Sequence, residues 1–311
     1  MEQKKRNAHI AIFAANILFG LNNPISRSLM PEIIDPIALT YFRLLGGAIL
    51  FWASTLIFKV EKVSSKDLVL LFFAAFFSLT ANQIPFFLGL SKTSPIDAAI
   101  VVTTLPIISM LLAALIIKEP ITFKKAFGVL LGASGALFLI LGDHIVHVGK
   151  GNFTGNIIVF AAVVSFALYL NLFKNLIKRY SAFTIMRWMF LFASIQSYPF
   201  CHTVVSQIDL AIFTTPVVAK IGYIIFFATF VSYVLLAAGQ QVLLPTTLSM
   251  YNYTQPIIAS LATIAMGLDV FGYDQLISTA LVFVGVYIVT QSKTRAQLEA
   301  EKSKKLVENT L

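Results

Sequence analysis

Apolar residues run along this chain in stretches of about twenty, separated by short polar or charged segments. The runs read as His9–Met30, Ile37–Phe58, Leu68–Leu90, Ser94–Ile117, Phe127–Leu141, Gly155–Ile177, Phe183–Val204, Val217–Gln240, Pro245–Leu268 and Gln275–Thr290. A helix of about 20 residues crosses the hydrocarbon core of a bilayer. The pattern therefore predicts about ten transmembrane helices and an all-α integral membrane fold. The first run is too long for a signal-peptide core and is interrupted by Asn22, Asn23 and Pro24, so an uncleaved first helix is expected.

Composition agrees with that class. Of 311 residues, 58% are hydrophobic and 12% charged, with mean hydropathy +0.85. Soluble domains carry roughly 25% charged residues. The single cysteine, Cys201, excludes an internal disulfide and any multi-cysteine metal site. The histidines are scattered or in loops, and no metal, cofactor or Ser/His/Asp spacing appears, so no enzymatic role is expected.

The net charge of +9 is a topology signal rather than a nucleic-acid signal. With the N-terminus inside, 18 of the 23 basic residues fall in cytoplasmic segments, leaving Arg27, Arg43, Lys92, Lys150 and Lys220 for the outer side. Cytoplasmic loops favour Lys and Arg, so both termini are expected in the cytoplasm. The polar tail, 292–311, is expected to be a cytoplasmic appendage.

A 150-residue shift aligns the later parts of the two halves. Gly89 meets Gly239, Pro95 meets Pro245, Thr104 and Pro106 meet Thr254 and Pro256, and Gly135 meets Gly285. Earlier, Phe19-Gly20 meets Phe166-Ala167 and Arg43 meets Arg187. Corresponding loops carry opposite charge: Lys118, Lys124 and Lys125 answer Asp269 and Asp274. An odd number of spans per repeat produces that inversion. The expectation is two inverted five-helix repeats, 8–141 and 154–291, around a site near the bilayer midplane.

The motifs also carry a family resemblance. Asp97-Ala98-Ala99 through Leu105-Pro106, then Lys118-Glu119-Pro120, Gly128, Gly132 and Gly135, resembles the EamA domain of the drug/metabolite transporter superfamily. Phe19-Gly20-Leu21-Asn22 takes the place of that family's Trp-Gly start, and the second half repeats the pattern with Pro256, Asp269 and Gly285. The resemblance implies a ten-helix inner-membrane carrier of metabolites, often amino acids or related compounds, and often an exporter.

Polar side chains at membrane depth are the candidate solute ligands, because facing a cavity relieves their cost in lipid. They are Asn22 before Pro24, Asn82 and Gln83 before Pro85, and Tyr251, Asn252 and Gln255 before Pro256. Asn252 and Gln255, three apart, share a helix face. Arg43 lies about 10 Å in from Pro36 at the helical rise and can pair a carboxylate or snorkel to headgroups. Tyr169, Tyr233 and Gln240 are weaker candidates. Gly132, Gly135 and Gly285 read as close-packing points between the halves or at a homodimer face. Glu119 reads as a helix cap.

The first span holds no Asp or Glu, and Asp97 is the one acid near a span interior. A facilitator or exchanger is therefore expected. The alternatives are a proton-coupled drug/metabolite exporter and a non-transporting scaffold or sensor. The expected partners are a small-molecule solute and the lipid bilayer, with no nucleic acid.

Overall fold

The computed structural model describes residues 2–90, 92–93, 95–142, 153–265, 273–293 and 297–298. These residues form helices and turns, with no strand among them. In chain order the helices are α1 (Glu2–Arg27), α2 (Pro36–Ala53), α3 (Ser65–Ala75), α4 (Ala81–Leu90), α5 (Pro95–Val102), α6 (Leu105–Ile116) and α7 (Phe123–Gly142). The second half contains α8 (Phe153–Leu172), α9 (Lys174–Ile177), α10 (Ala182–Ser206), α11 (Thr215–Ile225), α12 (Ser232–Val242), α13 (Pro245–Met250), α14 (Thr254–Ala265) and α15 (Tyr273–Thr290).

Five stretches are long and apolar enough to cross a membrane: Glu2–Ser26, Pro36–Leu56, Ser65–Leu90, Phe153–Leu172 and Thr215–Val242. Ile100–Ile116 and Leu276–Thr290 are shorter apolar helices. Many large apolar side chains point outward, among them Leu56, Leu115, Phe123 and Phe153. Such a surface suits a lipid solvent and not water.

Local chemistry sets the helix ends. Asp35 caps α2 by accepting from the Ile37 amide at 2.7 Å, and Pro36 occupies the first turn, where its missing N–H costs nothing. Ser64 caps α3 through the Asp67 amide, and Ser181 caps α10 through the Thr184 amide. After α6 the Glu119 amide reaches back to the Ala113 carbonyl at 3.0 Å, and Lys118 takes φ 53. That is a Schellman-type stop, with lysine where glycine is usual.

Two long stretches contain a π-helical turn, at Phe76–Thr80 between α3 and α4 and at Phe226–Val231 between α11 and α12. Their starts are 150 residues apart, the same shift that aligns the sequence. The carbonyls loosened by the wider turns are taken by hydroxyls: Ser165 donates to Phe77 O, Thr229 to Ile224 O and Ser232 to Phe227 O. The sequence reading, which treated these stretches as uniform helices, missed both turns.

The extensive packing pairs cross between the halves: α7 on α15, α4 on α8, α2 on α10, and α1 on both α12 and α14. Glycines permit the closest approach. A Cβ on Gly128 would lie 2.8 Å from Gly285 O, and one on Gly135 would lie 3.0 Å from Ser278 O. Residue numbers rise along α7 as they fall along α15, so the two helices are antiparallel. Gly132 and Gly285 are likewise taken up by contacts within the chain. The main core runs through Phe51, Phe190, Tyr233, Met250 and Tyr253.

Glu119 is not the simple cap expected. It forms a buried ion pair with Lys125 at 2.6 Å, and Lys125 also donates to Pro120 O at 2.8 Å.

Candidate functional site

The polar side chains of the interior gather in two groups. The first lies between α1 and the 3-10 turn Tyr251–Tyr253 that joins α13 to α14. Gln255 Nε2 donates to Asn16 Oδ1 at 2.7 Å and to Asn252 Oδ1 at 3.3 Å. His9 Nδ1 and the Tyr251 hydroxyl are 2.8 Å apart. The helices can approach this closely because of Gly20, where a Cβ would lie 2.7 Å from Ile258 Cβ.

The second group joins α2, α4 and the π turn before α12. Arg43 is 8% exposed, and its Nε donates to Thr229 Oγ1 at 3.3 Å. Gln83 Nε2 donates to the Tyr233 hydroxyl at 3.1 Å, while Gln83 Oε1 is buried without a partner. Phe19 of α1 packs edge-on against Tyr233 and so links the two groups.

The remaining candidates sit apart. Asn82 donates to Ala162 O at 2.9 Å and fastens α4 to α8. Asn22, in α1, accepts from Ser26 at 3.1 Å. Tyr169 donates to Gln240 Oε1 at 2.9 Å, leaving Gln240 Nε2 buried and unpaired. The Asp97 side chain lies outside the described residues, as do Asp269 and Asp274 side chains and the loop with His144 and His147.

Two hydrogen bonds join positions that the 150-residue shift makes equivalent. One is Gln83 to Tyr233; the other is Tyr253, whose hydroxyl donates to Thr103 O at 3.0 Å. Both bonds are in the interior, beside the polar groups just described.

The opposite ends of α2 are held by different chemistry. At the end near residues 57–67, a polar clasp crosses the halves. Asp67 accepts from Arg179 Nη1 and from the Tyr180 hydroxyl, each at 2.7 Å. Glu61 accepts from Ser181 and Thr184, and Arg187 donates to Glu61 O at 3.1 Å. Partial burial pushes the Glu61 carboxyl up, but the hydroxyl and amide hydrogen bonds outweigh it and hold the group below its usual value. Arg187 also lies over Trp52 and Trp188. At the other end the contact is apolar: Leu29, Ile34, Ala38 and Leu39 pack on Val217, Ile221 and Ile224.

Sequence reasoning did not single out Asn16 or Thr229. Asn16 could have been found as an amide within the first apolar run. Thr229 had no such signal, because its position depends on the π turn. No group of three or more metal-ligating side chains occurs among the described residues.

The fold and this interior define a multi-pass helical membrane protein with buried polar groups shared between two halves. Its relatives agree with that class. The model of the EamA-like transporter family matches twice, over residues 6–141 and 153–291, and the chain belongs to that family. It is 23% identical over 303 residues to a Bacillus subtilis protein called uncharacterized transporter YetK, covering 94% of this chain and 89% of the relative. An Archaeoglobus fulgidus protein, also called an uncharacterized transporter, is 23% identical over 84% of this chain and 91% of its own length. A protein of known crystal structure superposes with TM-score 0.76 at 16% identity, over 92% of this chain and 98% of that one.

Proposed function

We propose that this chain carries small organic solutes, amino acids or related compounds, by alternating access between two inverted five-helix repeats, 8–141 and 154–291. The observation that carries the reading is the coincidence of the polar interior with self-paired equivalents, Gln83 with Tyr233 and Thr103 with Tyr253. Antiparallel packing of α7 on α15, which are equivalent in the repeat, supports inversion. In such a plan each half can adopt the other's conformation, which moves access from one side of the site to the other.

The clasp and the apolar plug are the two gates. The orientation expected from Lys62, Lys178 and Arg179 puts the clasp in the cytoplasm and both termini with it. The membrane is the cell inner membrane. Opening inward breaks the bonds of Asp67 and Glu61 to Arg179, Tyr180, Ser181 and Thr184. Opening outward parts Leu29 and Leu39 from Val217 and Ile221. The solute lies between them, against Gln83 and Tyr233 on one side and Asn252 and Gln255 on the other. No proton step is included, so exchange runs on the solute gradient.

Counterflow tests this reading. Proteoliposomes preloaded with a mixture of unlabelled amino acids and organic acids should take up a labelled member transiently and saturably, without a pH gradient. Uptake no greater than in empty liposomes, across the panel and with folded protein, would remove the carrier reading.

A further inference from the structure

Arg43 presents an electrostatic problem that the protein alone does not solve. Its residue is 8% exposed, and among the described residues its one hydrogen bond is to a neutral hydroxyl, Thr229 Oγ1. The ion pairs of the described residues are Lys125 with Glu119 and Arg179 with Asp67, so neither uses Arg43. The segments packed against α2 make the deficit plain. Residues 81–90, 182–206 and 215–231 contain no aspartate or glutamate at all. A buried cation normally acquires a counter-charge, because losing its hydration costs more than a single neutral hydrogen bond returns.

Arg43 Nη1 and Nη2 have no hydrogen-bond or ion-pair partner among the described residues. Arg187, its equivalent in the repeat, differs: it has Glu61 O and two tryptophan faces. Snorkelling to headgroups does not describe Arg43 either, since the residue is 8% exposed and its Nε is bonded across to the π turn of the opposite half. Tyr233 stands four residues after Thr229, the residue that holds Arg43, on the same helical stretch. Its hydroxyl accepts from Gln83, so its own proton has no acceptor among the described residues. Two donor groups without acceptors thus share one interior region.

We infer that the solute carries a single carboxylate, which docks on the Arg43 guanidinium fork with the Tyr233 hydroxyl as a second donor. This rests on the carrier reading above and names its solute class. A planar carboxylate matches the fork in a bidentate pair. One unpaired cation balances one negative charge. Among the described residues of the neighbouring segments the other cations are engaged elsewhere: Lys220 donates to Ser28 at the apolar end and Arg187 belongs to the clasp. A dianion would leave charge uncompensated.

Thermal unfolding of the purified full chain tests this with matched probes: monocarboxylates, amino acids and dicarboxylates, each beside its neutral amide. A ligand that binds only the folded state raises the unfolding temperature. The stabilising probes should be monocarboxylates, ahead of zwitterionic amino acids whose ammonium finds no acidic partner in these segments, with the amides bound about tenfold to a hundredfold more weakly. Arg43→Gln should lose the response, and Arg43→Lys should retain part of it. Should Arg43→Gln not fold, phenylglyoxal modification of wild-type Arg43, followed by peptide mass spectrometry, replaces it. Carboxylates should protect Arg43, and amides should not. Equal response to acid and amide, stabilisation by neutral or cationic probes only, no response to any carboxylate, or unprotected modification would each overturn the assignment. Binding without counterflow would leave the carboxylate site standing and remove only the carrier reading.

Discussion

The Lys125–Glu119 pair gives a sharp energetic test of the fold. Lys125 and Glu119 side chains are 1% and 4% exposed, and Nζ lies 2.6 Å from Oε1. Two unit charges about 3 Å apart attract by about 5–6 kcal/mol at an effective dielectric near 20. Dehydrating the two ions costs several kcal/mol each, so the intact pair is worth little net. Glu119 Oε2, buried and unpaired, lowers the return further. Removing one partner is different, because it strands the other charge. Lys125→Met or Glu119→Gln alone should therefore destabilise by about 3–5 kcal/mol. Lys125→Met/Glu119→Met together should cost far less than the sum, since no charge is stranded and both side chains are apolar. Reversible unfolding in mixed micelles, followed by tryptophan fluorescence, gives the three values. If the double variant costs the sum of the singles, the pair is not coupled and the reasoning fails.

Three further outcomes follow from named contacts. Lys118→Gly should stabilise by about 1 kcal/mol in the same assay, because glycine tolerates the left-handed backbone that lysine adopts there. Gly285→Val should fail to fold or lose stability sharply, since even a Cβ would lie 2.7 Å from Gly128 O, whereas Gly222→Ala, with nothing near its Cβ position, should be mild apart from the helix context. Gln255→Leu should lower counterflow at least about tenfold while leaving a monodisperse protein, because it removes the bond to Asn16 that links α1 to α14 and the local bond to Asn252. Unchanged counterflow in Gln255→Leu would take that side chain out of the site.

The membrane class was written in the apolar runs, and several helix starts were equally legible. Asp35-Pro36 supplied a cap and a first-turn proline, and Ser64 stood three residues before Asp67. The shift by 150 residues, read as a repeat, reappears in the two π turns and the self-paired bonds. The side-chain directions were harder. A π turn holds an extra residue and so rotates everything after it relative to an ordinary helix. Asn82 and Gln83 follow such a turn directly, and their neighbouring positions diverge, Asn82 onto α8 and Gln83 onto Tyr233. Thr229 lies inside the other turn, which explains why an unremarkable threonine meets Arg43. Periodicity did work where the helix has no such insertion: Asn252 and Gln255, three apart, are hydrogen bonded. Lys125 was counted only as loop charge, because nothing local marks its return to Glu119 as buried.

Alternating access makes the two gates mutually exclusive, and thiol reactivity can follow both. In a Cys201→Ser background, Leu39→Cys reports the apolar end and Ile185→Cys, beside Thr184, reports the clasp; the native residues are 2% and 0% exposed. Right-side-out and inside-out vesicles are treated with an impermeant maleimide, with the clasp intact or weakened by Asp67→Asn. Weakening the clasp should raise labelling of Ile185→Cys from the inner face and lower labelling of Leu39→Cys from the outer face. Labelling that rises at both positions together, or changes at neither, would contradict the two-gate account.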